Sequence, residues 1–249
     1  MIIKKIKNSL YTSKEWLKRM YVYPRDRIIP GDHFNYDEYW KEKRGEKYIG
    51  SLGSWQKKRA EIASSIISKS NGVSINDIGS GAGEVLLYIK NHTLIKQATC
   101  YDSSTYALDI AKSLGLETKK FDLNNKGDYS KIQLADFTIM FEVLEHVPGS
   151  EELLKFAYDS SRKGVLFSFP NTGFFIHRFR LFFFGKFPMQ WARHPAEHLR
   201  FWTKRDLLWW LKAQGYENYK VRYYVGVPVL KNIWPNMFAA GFFVEIIKN

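Results

Sequence analysis

A glycine-rich turn between a strand pattern and a helix pattern constrains this chain most. The sequence runs from an apolar segment at 73–78 through Gly79, Gly81 and Gly83 into a segment at 85–89 with apolar residues at helical spacing. Such a strand, turn and helix predict the first unit of an open α/β sheet. In such a unit the ligand lies beyond the carboxyl end of the strand, against the N-terminus of the helix.

The spacing of the glycines excludes two common ligand classes. A dinucleotide fingerprint would need a third glycine at position 84 or 86, where Glu84 and Leu86 stand, and no Gly-Lys-Ser/Thr follows as in a phosphate-binding P-loop. The sequence instead reads Asp-x-Gly-x-Gly-x-Gly, starting at Asp77. This resembles motif I of the class I methyltransferases that use S-adenosylmethionine (SAM).

The resemblance implies roles for the residues of this motif. Asp77 would hold the methionine amino group of SAM, directly or through water. The turn would pass under the cofactor with Gly79, Ser80, Gly81 and Gly83. A tight turn without any ligand is the alternative.

Two further predicted strands also end in an acidic residue. The strand at 98–102 ends in Asp102, about 20 residues past the glycine turn, where a carboxylate is expected to bind ribose hydroxyls. Ser103 follows it. The strand at 117–121 ends in Asp122 and Leu123, the position at which the family contacts adenine. These strand ends strengthen the prediction of a SAM site.

The fourth predicted strand leads into a cluster of acids and a histidine. Residues 135–141 are followed by Glu142, Glu145 and His146, in the segment FEVLEHVP. The family places an acid such as Glu142 across from the glycine turn. The segment also resembles ubiquinone-pathway O-methyltransferases and small-RNA 2′-O-methyltransferases, in which two glutamates, the adjacent histidine and a later histidine hold Mg²⁺. EHLRFWT places His198 at the later position.

Three interpretations of this cluster stay open. A divalent ion on Glu142, Glu145, His146 and His198 would bind the acceptor hydroxyl and lower its pKa. Carboxylates favour Mg²⁺, whereas two histidines favour zinc, manganese or iron. Alternatively, His146 acts as a general base without metal, with Glu145 and His198 as catalytic partners, or the histidine is structural.

The C-terminal half carries a second resemblance. FSFPNTGFFIHRFRLFFFGKFP and HLRFWTKRDLLWWL are similar to segments of MetW-like methyltransferases, although that family lacks Glu-Val-Leu-Glu-His after strand four. Together the resemblances cover residues 36–249. The combination is similar to methyltransferases found with surface-polysaccharide genes, which implies a role in polysaccharide biosynthesis.

Candidate substrate residues lie both before and after the predicted SAM-binding strands in the sequence. Residues 171–202 are predicted to form an aromatic-basic lid, in which Arg178, Arg193 and His194 would bind an anionic acceptor. Tyr39 and Trp40 would cap the cofactor. A solvated basic face and ordinary core packing are the respective alternatives. Arg59, on the helix before the first strand, is a candidate for the cofactor carboxylate.

The net charge and the cysteine count indicate which kind of partner the protein binds and in which cellular compartment it is expected. A net charge of +13 favours an anionic partner, either a phosphorylated or nucleotide-linked small molecule, a nucleic acid or an acidic membrane surface. The single cysteine, Cys100, excludes a disulfide framework and a cysteine-based zinc site, so we expect a reducing, cytoplasmic location. No apolar run reaches about 18 residues, so no membrane span is expected.

The sequence therefore predicts a Rossmann-like α/β class I methyltransferase. Its seven-stranded, mostly parallel sheet would have an antiparallel last strand. Residues 1–50 would form a helical N-terminal extension, and 51–249 the SAM-binding domain. The expected reaction is O-methylation of a small anionic acceptor: phosphorylated, sugar or nucleotide-linked. The rivals are an RNA 2′-O-methyltransferase and a non-catalytic SAM-fold subunit that binds a partner through its phenylalanine-rich lid. The oligomeric state is not indicated.

Overall fold

The computed structural model describes residues 35–43, 50–186 and 198–248. The predicted N-terminal extension up to residue 34, and the candidate substrate residues Arg193 and His194, lie outside the described residues.

The chain divides into two compact units. The described part of the larger unit, 35–43, 50–174 and 199–248, contains the sheet. Of the described residues, the smaller unit holds 175–186 and His198.

Seven strands form one mixed sheet in the order β3-β2-β1-β4-β5-β7-β6. The strands are β1 (Ser74–Ile78), β2 (Gln97–Asp102), β3 (Glu117–Lys120), β4 (Ala135–Phe141), β5 (Ser161–Pro170), β6 (Tyr219–Gly226) and β7 (Ala239–Ile247). The first five pair in parallel, and β7 runs antiparallel to both of its neighbours. The predicted Rossmann-like methyltransferase fold with an antiparallel last strand is confirmed.

Helices precede and connect the strands of the larger unit. They are α1 (Tyr36–Lys43), α2 (Ser54–Lys69), α3 (Glu84–Asn91), α4 (Thr105–Ser113), α5 (Ser150–Asp159), α7 (Lys204–Ala213), α8 (Leu230–Ile233) and α9 (Pro235–Phe238). Short 3₁₀ turns span Lys126–Lys131 and Leu144–His146. The smaller unit contains α6 (Phe175–Phe184). None of the described helices is long and apolar enough to cross a membrane.

The burial of the strands explains their positions in the sheet. All five residues of β1 are buried, as expected for a central parallel strand covered on both faces. The edge strand β3 reads Glu-Thr-Lys-Lys and has no fully buried residue, and charged residues protect such an edge from pairing with another chain. Large buried aromatic residues fill the core around β4 and β5, including Phe167, Phe169 and Phe242.

The register brings the candidate residues to one edge of the sheet. Asp77 lies opposite Cys100 of β2 and Ile139 of β4. Because these strands run in parallel, the ends of β1, β2 and β4 meet at the same edge, together with Asp102 and Glu142.

Candidate cofactor and acceptor site

The glycine turn between β1 and α3 adopts a conformation that requires glycine. Gly79, Gly81 and Gly83 have φ values of 70°, 54° and 78°, in the left-handed region that side chains disfavour. The space around them is also filled. A Cβ on Gly79 would lie 2.6 Å from Cγ2 of Val143, and one on Gly81 would overlap the indole ring of Trp40. The turn therefore lies directly against the segment after β4 and against α1.

Asp77 is a buried carboxylate just before this turn. It is 3% exposed, and no hydrogen-bond partner for its carboxylate is found in the described part of the chain. Burial, and then the negative charge of Asp102, raise its pKa well above the usual range, and the nearby Arg59 acts in the opposite direction. A bound ammonium group at this position would lower that pKa further.

Asp102 links the glycine turn to the end of β2. Its Oδ2 accepts a hydrogen bond from the Gly81 N–H at 2.7 Å, and its Oδ1 accepts one from Ser104 N–H at 2.9 Å. Burial raises the pKa of this carboxyl, although the backbone donors, Ser103 among them, lower it in part. An ionised carboxylate has about four acceptor positions, so the Asp102 carboxylate can still accept a hydrogen bond from a predicted ribose hydroxyl.

The other predicted cofactor residues are held by local contacts. Ser80 donates its hydroxyl to the Gly81 carbonyl at 3.3 Å. Oδ1 of Asp122 accepts from the Asn124 N–H at 2.9 Å, and the Leu123 carbonyl accepts from the Tyr129 hydroxyl at 2.9 Å. Their contacts with adenine stay a prediction.

Helix α1 is anchored at the end of β2 by Asp37. Its Oδ1 accepts from the Ser104 hydroxyl at 2.6 Å and from the Tyr106 N–H at 3.1 Å. These two bonds, the first above all, lower the pKa of Asp37. Tyr39 and Trp40 follow on the same helix, both half-buried, with ring centroids 5.6 Å apart. The anchor thus holds Trp40 over Gly81.

Glu142 has a strained backbone and a crowded carboxylate. Its φ is 58°, which is uncommon for a residue with a side chain and is often found at functional sites. Its Oε1 lies 3.1 Å from Nη1 of Arg59 and accepts hydrogen bonds from the hydroxyls of Ser168, at 2.9 Å, and Tyr224, at 3.1 Å.

Arg59 is the buried cation of this polar cluster. It is 8% exposed, and Nη1 also donates to the Tyr224 hydroxyl at 3.0 Å. Burial acts to lower the pKa of Arg59, but Tyr224 and Glu142 raise it above its ordinary value. The guanidinium therefore stays charged between the carboxylates at the ends of β1 and β4.

Glu145 and His146 form a compact turn after β4. The Glu145 side chain is buried, the His146 side chain is 16% exposed, and Nε2 of His146 lies 3.9 Å from Oε1 of Glu145. The Glu145 carbonyl accepts hydrogen bonds from the backbone N–H groups of Leu199, at 2.8 Å, and Arg200. The half-buried His198 immediately precedes this anchored segment.

The predicted lid arginines differ in their surroundings. Arg178 is exposed, whereas Arg180 is 7% exposed. Arg200 is held by Glu151 in a bidentate pair, with distances of 2.6 and 2.8 Å, and by the Pro148 carbonyl. Arg200 therefore fixes α5 to the segment before α7, and its guanidinium is already engaged by these contacts.

The sequence matches a family model described as "Methyltransferase domain" over residues 51–221. The chain belongs to this methyltransferase family. Among curated proteins, no match to the sequence is found.

Solved structures of methyltransferases share the fold. The methyltransferase domain of bacterial CtHen1 has a TM-score of 0.56 at 18% identity, and the match covers 79% of this chain and 100% of that one. The small RNA methyltransferase HEN1 has a TM-score of 0.56 at 23% identity, covering 78% of this chain and 25% of that chain. The plantazolicin methyltransferase BpumL, solved with S-adenosylhomocysteine (SAH), has a TM-score of 0.55 at 16% identity, covering 86% and 90%.

This methyltransferase uses SAM as its methyl donor. The features that the family motif requires, a buried acid followed by a left-handed glycine turn, are present in this structure.

Sequence patterns did not indicate the partners of the predicted residues. Asp37, Ser168 and Tyr224 are distant in sequence from the residues they contact. Two residues of the site could have been suspected from their positions in the sequence. Asp37 is next to the aromatic residues of α1, and Arg59 lies on the helix before β1.

Proposed function

We propose that this methyltransferase transfers the methyl group of SAM to a hydroxyl oxygen of a small anionic acceptor. The observation that carries the proposal is the Glu145–His146 pair, placed after β4 by a segment that packs on the glycine turn. Val143 touches Gly79, and His146 follows three residues later. A half-buried imidazole at this position is a suitable base for a hydroxyl proton.

In the proposed reaction, the chain positions two reactants and moves one proton. SAM supplies a methyl group that its sulfonium already activates. Asp77 holds the amino group of the cofactor, and Asp102 accepts hydrogen bonds from its ribose. His146 takes the hydroxyl proton while the new O–C bond forms and the C–S bond breaks, and the Glu145 carboxylate stabilises the imidazolium. Positioning of the acceptor contributes most of the rate.

A divalent ion would lower the pKa of the acceptor hydroxyl at this position. Of the four predicted ligands, Glu142 fits this role poorly, since its Oε1 is engaged by the guanidinium of Arg59 and two hydroxyls. In this alternative mechanism Glu145, His146 and His198 would hold the ion, and His146 would not act as the base. Activity that is lost with a chelator and restored by Mg²⁺ or Mn²⁺ would support it.

Charge supports the anionic character of the acceptor. The chain carries +13 formal charges, and Arg178 and Arg193 belong to the predicted lid. We propose a phosphorylated, sugar or nucleotide-linked acceptor, with surface-polysaccharide synthesis as its setting. The reduced state expected for the buried Cys100 supports a cytoplasmic location.

An RNA 2′-hydroxyl is the second candidate acceptor. Its support is the structural similarity to the small RNA methyltransferase HEN1 and the Glu-Val-Leu-Glu-His segment. RNA binding would show a steep dependence on salt concentration.

The test is transfer of a labelled methyl group from SAM to separate pools of sugar phosphates, nucleotide sugars and short single-stranded RNAs. We expect a product in one of the two small-molecule pools. His146→Asn should lower turnover by about 100-fold or more while retaining SAH binding. His92→Asn, on the exposed surface, is the matched control. Product in the RNA pool alone, or full activity of His146→Asn, would contradict the proposal.

A further inference from the structure

Helix α6 exposes the residues that a soluble helix normally buries. Phe182 is 82% exposed and Phe183 62% exposed, while His177 and Arg180 on the same helix are 5% and 7% exposed. The exposed apolar residues, here called the aromatic face, are Phe179, Leu181, Phe182, Phe183 and Phe184. This inversion of the usual pattern indicates that the helix has a binding surface.

The aromatic face is continuous. The ring centroids of Phe179 and Phe183 are 4.4 Å apart, and those of Phe182 and Phe183 are 4.9 Å apart. Their planes are inclined at 43° and 79°. The rings therefore cover one another instead of forming parallel platforms on which nucleic-acid bases stack. This geometry favours an apolar phase over single-stranded RNA.

The charge of the segment that contains α6 indicates which kind of surface the helix would bind. From the start of α6 at residue 175 up to Glu197 the sequence has no acidic residue, but it has four basic residues: Arg178, Arg180, Lys186 and Arg193. Of these, Arg178 is exposed on α6 itself. The whole chain has a formal charge of +13. A long basic segment is complementary to an anionic surface, and basic residues near a membrane are attracted to anionic lipid headgroups.

We propose that α6 docks this methyltransferase on an anionic phospholipid membrane, with the aromatic face in the headgroup region. Ten residues of helix extend about 15 Å, about half of what a membrane span requires, so α6 would lie parallel to the surface. The aromatic face enters the boundary with the acyl chains, and the exposed Arg178 contacts the headgroups. This docking does not depend on which acceptor is methylated.

The test is co-sedimentation of the full chain with vesicles. One set contains equal amounts of phosphatidylglycerol and phosphatidylcholine, and the other contains phosphatidylcholine alone. We expect binding to the anionic vesicles, weakened by salt, and little binding to the neutral ones. The Phe182→Ser/Phe183→Ser variant should partition at least about tenfold more weakly. Trp209→Ser removes an aromatic residue that is 72% exposed on α7, and it should bind like the wild type.

Further measurements distinguish membrane docking from misfolding of the variant and from other binding partners. The thermal unfolding and SAH affinity of the double serine variant should match the wild type, which excludes misfolding. Absence of binding to anionic vesicles, or equal binding by the variant, would overturn the proposal. A wild-type dimer that the same variant converts to a monomer without vesicles would assign the aromatic face to self-association instead. Vesicle-independent binding of single-stranded RNA that the variant loses would assign it to RNA.

Discussion

Nη1 of Arg59 on α2 lies 3.1 Å from Oε1 of Glu142, the strained residue that follows β4. Ser168 and Tyr224 complete the cluster from β5 and β6. One partly buried ion pair thus connects a helix with three strands at the edge of the sheet where the cofactor is expected to bind.

We expect this pair to be energetically coupled. Arg59→Met should reduce the free energy of unfolding by about 2 kcal/mol, because it leaves the Glu142 carboxylate without its cation. A double-mutant cycle with Glu142→Gln, followed by urea denaturation, should give a coupling of at least about 1 kcal/mol. The exposed pair Lys155–Asp159 is the control, and its coupling should be close to zero. Additive effects at Arg59 and Glu142 would refute the coupling.

Alanine variants of Gly79 and Gly115 should distinguish the stability cost of steric overlap from that of backbone strain. Both have a left-handed φ, 70° and 77°, but a Cβ at Gly115 would meet no atom within 4 Å, whereas one at Gly79 would overlap Val143. Gly115→Ala should cost about 1 kcal/mol. Gly79→Ala should cost at least about 2 kcal/mol and abolish SAH binding. Chemical denaturation and calorimetry measure both effects, and equal results for the two variants would show that the turn tolerates a side chain.

Trp40 should report on the cofactor site. Its ring covers Gly81 in the structure, so bound SAH at this turn changes the surroundings of the indole. We expect a change in tryptophan fluorescence when SAH is added. The change should be largely lost in Trp40→Phe and retained in Trp209→Phe, which alters an exposed indole on α7. An undiminished signal in Trp40→Phe would place Trp40 away from the ligand.

His177 makes stability dependent on pH. Burial, and then the positive charge of Arg180, lower its pKa from 6.5 to about 4. Between these values the unfolded chain binds a proton that the folded chain does not, so stability falls as the pH decreases from about 6.5 towards 4. We expect a loss of about 2 kcal/mol between about pH 7.5 and pH 5. His177→Gln cannot take up this proton, and urea denaturation should show a smaller loss; an unchanged pH dependence would contradict the assignment.

Local patterns predicted the part of the site that is local in sequence. The acid before the glycine turn and the acid at the end of β2 follow from strand and turn signals within a few residues. The parallel register then brings Asp77 and Asp102 to the same edge. The family resemblance, rather than any residue pattern, predicted that the last strand is antiparallel.

Contacts between distant segments were beyond sequence reasoning. The partners of Glu142 depend on the strand order β4-β5-β7-β6, in which β7 separates the two strands that carry Ser168 and Tyr224. Arg59 was predicted to reach the cofactor carboxylate, and the structure shows its Nη1 on Glu142 and Tyr224. The contact of Trp40 with Gly81 depends equally on tertiary packing. The roles of these residues in binding stay predictions.

The most direct test of the account is calorimetric titration of SAH into the wild type and Asp77→Asn. The wild type should bind with a micromolar dissociation constant or better. Binding should release protons, because the ammonium group of the ligand lowers the raised pKa of Asp77, and affinity should increase with pH. Asp77→Asn should lose binding yet unfold at a higher temperature without ligand, since a buried carboxyl with a raised pKa costs stability at any pH above its ordinary pKa. Equal SAH affinity of the two proteins would contradict the account, as would the absence of binding to the wild type.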